Sequence, residues 1–214
     1  MKKNWKYAWG SPAFRTHFIL TLVAGIALAI FADRFFPFIQ QRPGHLIGDP
    51  VLDWLPSYDL SAYIFALLYV GVIIAIGTAV KTPEVLLTGL QAYVLLSFMR
   101  MCTLYFIPLE PHPGIVVLED PFIGFFFYDN GVITKDLFFS GHVSAMLLLC
   151  LTATGRNLRM FLAADALAMA ICMLFQHAHY TVDILAAPLF VLLCVYIAGR
   201  RTVTTEAVAV RNES

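Results

Sequence analysis

The chain has 214 residues, of which 60% are hydrophobic and 13% charged, with a mean hydropathy of +0.78 and a formal net charge of zero. That composition belongs to membrane proteins, and the absence of a basic excess leaves nothing to favour nucleic acid as a partner. The four cysteines, Cys102, Cys150, Cys172 and Cys194, sit in apolar runs without paired spacing and read as small core residues rather than a disulfide frame or zinc site.

A hydrocarbon core of about 30 Å needs roughly 20 apolar residues per helix. In chain order the qualifying stretches are about 17–36, 60–80, 85–107, 137–154, 159–176 and 180–199. The last three are shorter and carry polar residues. This predicts an all-α integral membrane protein with six transmembrane helices in a single domain over 1–214, with no internal repeat and no soluble second domain.

Charge orients the bundle. Lys2, Lys3, Lys6, Arg15, Lys81, Arg156, Arg159, Arg200, Arg201 and Arg211 fall on one side in this topology, ten of the fourteen Lys/Arg. The opposite connections, about 37–59 and 108–136, hold only Arg42 and Lys135, with Arg34 at a helix end. The positive side is the cytoplasmic side. Both termini are therefore expected in the cytoplasm. The first segment also has the outline of a secretion signal, and its removal would leave the remaining topology unchanged.

The expected non-cytoplasmic loops, "GDPVLDWLPSYD" and "LEDPFIGFFFYDNG", are acidic and aromatic, with Trp54, Tyr58, Phe125, Phe126, Phe127 and Tyr128 among prolines. Such residues form interfacial belts, and they also suit a lipid head-group pocket. The apolar run "PFIGFFFYDNG" is a further candidate, as a cover over a reacting site, with Tyr128 able to meet a cationic head group.

Ionisable residues inside the apolar segments converge. Arg100 lies about two turns before the end of the third helix; Asp136, Ser140, Gly141 and His142 open the fourth; His179 and Asp183 open the sixth. In lipid such groups are costly and are functional candidates by default. His179 and Asp183 are four apart, so a carboxylate can fix the imidazole tautomer and leave the other nitrogen as nucleophile or base. His177 is expected to face elsewhere on a continued helix. "SGH" at a helix start offers a hydroxyl, a glycine and free N–H groups for an anion, and Arg100 a bidentate fork for phosphate. Two His and one Asp could instead ligate zinc, but an Arg and an anion-binding turn beside them oppose a cation. Neither metal nor cofactor is expected. A Ser140 nucleophile is disfavoured because no strand–turn–helix elbow surrounds it.

"DLFFSGHVSAMLLL" and "HAHYTVDILAA" resemble the third and fourth motifs of the sphingomyelin synthase branch of the type 2 phosphatidic acid phosphatase superfamily. "RMCTLYFIPLEPHPG", with Arg100, Thr103, Tyr105 and Pro108, resembles the second motif more loosely, and "PVLDWLPSYD" faintly echoes the first. The patches span about residues 49–190. The resemblance implies six helices, an outward-facing site, no metal, and a phosphohistidine formed on His179. It further implies that Asp183 orients that nucleophile and that His142 acts as general acid, then base. Ordinary lipid phosphatases carry a Lys-to-Arg-Pro motif and an Arg six residues before the nucleophile. Here that position is Met173 and no such pattern surrounds Arg100. The departure points to head-group transfer from a membrane phospholipid donor to a lipid acceptor such as ceramide, with hydrolysis as the alternative. Small size without appended modules points to a bacterial inner membrane. A lipid-binding or transport protein is the competing class, but no inverted repeat or broken helix pair supports it.

Overall fold

A computed structural model describes residues 5–120 and 133–212, with side chains to residue 200. The predicted cover segment and Tyr128 lie outside the described residues. Among the described residues the elements are α1 Trp5–Gly10, α2 Pro12–Gln41, α3 Pro50–Trp54, α4 Ser61–Ala79 and α5 Pro83–Phe106, followed by α6 Gly141–Thr152, α7 Arg156–Phe175 and α8 Thr181–Asn212. No strand occurs among them, only one bridge between His45 and Leu109.

Local chemistry sets the helix starts. Ser11, Asp49 and Ser140 cap α2, α3 and α6 through side-chain oxygens, and proline opens α2, α3 and α5, where its missing N–H costs nothing. The turn before α7 uses Gly155 at φ 100°, a left-handed conformation that suits glycine.

Five helices, α2, α4, α5, α7 and α8, are long and apolar enough to cross a membrane. The chain is an all-helical, multi-pass integral membrane protein. The fourth predicted stretch, 137–154, holds a helix of only 12 residues, α6, about 18 Å long at 1.5 Å per residue. Its missing length is irregular chain at Lys135–Phe139, bent at Phe138 and Phe139, which brings Asp136 onto Arg100. The 37–59 connection, expected to be loop, contains the five-residue α3.

α6 is the centre of the bundle, packed on α7 and α8, while α5 packs on α8 and α2, and α4 chiefly on α7. Their shared core joins Ile64, Leu96, Phe139, Met146, Met169 and Met173 to Ala92, Ala166, Ala187 and Ala198. Between lipid-immersed helices the hydrophobic effect offers little, so close packing around small residues does the work. Leucines and isoleucines such as Ile26, Ile30, Leu185 and Leu189 point outward as the lipid-facing surface. The starts of α4, α6 and α8 and the ends of α2, α5 and α7 gather at one end of the bundle. Arg100, Asp136, Ser140, His142, His179 and Asp183 lie there.

Candidate active site

The segment between α7 and α8 is built around Asp183. Tyr180 occupies the position before α8, and its backbone N–H donates to Asp183 Oδ2 at 3.0 Å, half of a capping box. The same oxygen lies 3.4 Å from His179 Nδ1. That is long for a hydrogen bond, and such contacts commonly tighten when a substrate enters. Both side chains are buried, Asp183 completely. The Asp183 carbonyl accepts from the Ser140 N–H at 3.2 Å, joining the start of α8 to the start of α6. With Nδ1 turned to the carboxylate, Nε2 is the nitrogen left for chemistry. It has no hydrogen-bond partner among the described residues.

His177 is not on a continued helix. α7 ends at Phe175, and His177 takes a positive φ of 52°. Its ring is buried against His112, centroids 5.0 Å apart, well away from the Asp183 contact. Burial, then the neighbouring His112, holds its pKa below the usual imidazole value.

Arg100, on α5, is the second component. Its Nη2 meets Asp136 Oδ1 at 2.7 Å and the Asp136 carbonyl at 3.0 Å, while Nη1 is buried without a partner among the described residues. An unpaired buried guanidinium nitrogen is costly, and an anion would satisfy it. Gly141 explains how the guanidinium comes so close to α6: a Cβ there would stand 3.0 Å from Arg100 Cζ. Ser140 is fully buried and its hydroxyl is turned inward toward the Val143 N–H at 3.5 Å, so it shapes the turn more than it faces a ligand.

His142, on the first turn of α6, packs edge-on against Phe65 with centroids 5.8 Å apart. It lies within electrostatic reach of His179, Arg100 and Asp136. A cleft of about 500 Å³ is lined by Arg100, Asp136, Gly141 and His142 at its polar end. His179 does not line this cleft and is only 5% exposed. Among the described residues no cluster of His, Cys, Asp and Glu has the arrangement of a metal site.

Sequence reasoning passed over a set of residues that hold the His179 segment. Asp49 accepts from the Thr181 N–H at 2.6 Å and the Thr181 hydroxyl at 3.0 Å while also capping α3. Burial tends to raise its pKa, but the bonds from Thr181, Leu52 and Val51 outweigh it and leave the carboxyl below its usual value. Tyr180 donates its hydroxyl to the Glu110 carbonyl at 2.9 Å, and Gln176 bonds Leu60, Ser61 and Val117. Glu110 in turn accepts from Lys135 at 2.7 Å and the Gly44 N–H at 2.8 Å, bonds that lower its pKa. The "GDP" before α3 was readable as a helix cap; a partner 132 positions away was not.

Residues 135–199, about a third of the chain, match the family model described as PAP2 superfamily C-terminal. The span takes in Asp136, the "SGH" turn, His179 and Asp183 and leaves Arg100 outside. Neither a curated protein nor a solved structure matches the chain.

Proposed function

We propose that the protein is a lipid phosphotransferase that moves a phospho-head-group, phosphocholine or phosphoethanolamine, from a glycerophospholipid to a lipid alcohol such as ceramide. The PAP2 superfamily domain suggests phosphatase or phosphotransferase chemistry. The observation that carries the finer reading is the buried His179–Asp183 pair, joined through the Asp183 carbonyl to the turn that holds His142 beside Arg100.

In this mechanism the donor phosphate lies at the polar end of the cleft, one oxygen on Arg100 Nη1 and the N–H groups at the start of α6 facing another. Asp136 holds the guanidinium in place through Nη2. His179 Nε2 attacks phosphorus, forming an N–P bond as the bond to the diacylglycerol oxygen breaks. His142 gives that oxygen its proton. Asp183 stabilises the charge that develops on the His179 ring, as in other carboxylate-oriented imidazoles. The acceptor hydroxyl then gives its proton to His142 and attacks phosphorus from the side the diacylglycerol left, breaking the N–P bond and restoring His179. Water as acceptor would make the same intermediate a hydrolase.

The charge distribution supports a reacting end on the non-cytoplasmic face, since Lys81, Arg156, Arg159 and Arg200 gather at the other end. The test is incubation of purified protein with head-group-labelled phosphatidylcholine or phosphatidylethanolamine, with and without ceramide or diacylglycerol. Labelled head-group lipid as the main product at saturating acceptor supports transfer. Soluble phosphorylated head group or inorganic phosphate, independent of acceptor, would replace this reading with hydrolysis.

A further inference from the structure

The cleft that ends at Arg100 and His142 is not isolated. Away from its polar end it is walled by Gly25, Leu28, Ala29 and Ala32 of α2. A second cleft of about 420 Å³ lies between α4, α5 and α6 and reaches Thr152 and Thr154 at the other end of α6. Leu68, Tyr93 and Ala145 line both, so the two meet there. The second exists because α4 leans on α7 and α6 and touches α5 only lightly, although a turn of three residues joins them.

From His142 to Thr152 the clefts run alongside about 15 Å of helix, half of a hydrocarbon core of about 30 Å. Between those ends the walls are overwhelmingly apolar. A lipid whose phosphate sits at Arg100 must send its chains down this direction, and the second cleft lies directly on the path.

We infer that the second cleft holds the distal part of one acyl chain of the donor lipid, with Tyr93 and Ala145 as the threshold, and so selects donors by chain length; the inference rests on the lipid-transfer reading above. A chain leaving the bilayer for this cleft exchanges one apolar surrounding for another, so little affinity is gained. What the cleft supplies is room. A donor with a short chain ends before the threshold and does not use it.

Gly89 provides the test. Gly89 lines the second cleft and a Cβ built there meets only Thr152 Oγ1, at 3.8 Å, an ordinary contact, so a larger residue has the cleft to extend into. Gly77, on the exposed face of α4 with nothing near it, is the control. With dipalmitoyl and dioctanoyl forms of phosphatidylcholine and phosphatidylethanolamine, Gly89→Phe should lower kcat/KM for the dipalmitoyl donor by about tenfold or more. The dioctanoyl donor should be little affected, and Gly77→Phe should change neither. Equal loss for both chain lengths, or no loss for either, overturns the inference. A readout without turnover separates this from the catalytic proposal. Dipalmitoyl phosphatidylcholine with a photoreactive group at the chain terminus should label the α5 and α6 walls around Leu86 and Leu149 in wild type and lose that label in Gly89→Phe. Labelling confined to lipid-facing residues such as Ile73 would contradict the inference even if every catalytic prediction succeeds.

Discussion

Asp49 and Thr181, 132 positions apart in the chain, share two hydrogen bonds, 2.6 Å to the backbone N–H and 3.0 Å to the hydroxyl. One carboxylate thereby caps the five-residue α3 and anchors the first residue of α8, two positions beyond His179. The connection between α7 and α8 is thus held from outside as well as by Asp183 of its own helix.

Asp49→Ala removes this anchor. Loss of a cap costs about 1 kcal/mol, and the freed His179 segment should lower kcat severalfold with little change in KM, because Asp49 does not line the cleft. Asp49→Asn keeps one acceptor and should fall between. Since the folded-state pKa lies below the ordinary 3.8, the stabilisation is complete above the ordinary value and fades as pH drops through the depressed one. Thermal unfolding in detergent checks this: the gap between wild type and Asp49→Asn should be widest near neutral pH and narrow in acid.

The proposed mechanism gives Asp183 a separable double role. Asn at this position retains an oxygen for the Tyr180 N–H, so folding should survive, yet it no longer fixes the His179 tautomer. Turnover should fall by about 10⁴-fold, as when other orienting carboxylates are amidated. Asp183→Ala should lose both stability and turnover. Melting temperature and rate measured on the same preparations distinguish the two effects; a fully active Asp183→Asn would remove the orienting role.

Gly141 is required by Arg100. A methyl group 3.0 Å from the guanidinium carbon would push it off the start of α6. Gly141→Ala should therefore raise KM for the phospholipid while leaving the helix intact, since alanine is the better helix former. Arg100→Lys loses the fork and should weaken binding comparably. Unchanged KM in both variants would argue against phosphate binding here.

Hydropathy was enough to read most of this fold, because a spanning helix has to be apolar along its length. It overestimated α6, whose twelve residues are preceded by irregular chain at Lys135–Phe139; hydropathy reads "LFF" the same way in either conformation. Arg100, Asp136, His142, His179 and Asp183 stand out in the sequence as candidates because lipid makes each an anomaly. Asp49, Glu110 and Gln176 were not, since polar residues in a loop are unremarkable until their distant partners are known. The apolar run through His177 reads as continued helix, but α7 stops two residues earlier, at Phe175.

Orientation is open to labelling. With the native cysteines replaced, Cys introduced at the exposed Ser57 should react with an impermeant reagent from the non-cytoplasmic side, and Cys introduced at Lys81 only after the membrane is opened. The reverse pattern would put the reacting end in the cytoplasm.

The most direct measurement concerns the covalent intermediate. Protein mixed with labelled phospholipid is quenched within the turnover time, kept alkaline to preserve the acid-labile N–P bond, and mapped by mass spectrometry. A phospho-head-group adduct on His179 in wild type, slower both to form and to decay in His142→Ala and absent from His179→Ala, is the expected result. Turnover by wild type with no adduct on His179 in either background, or an adduct on His142, would contradict the mechanism.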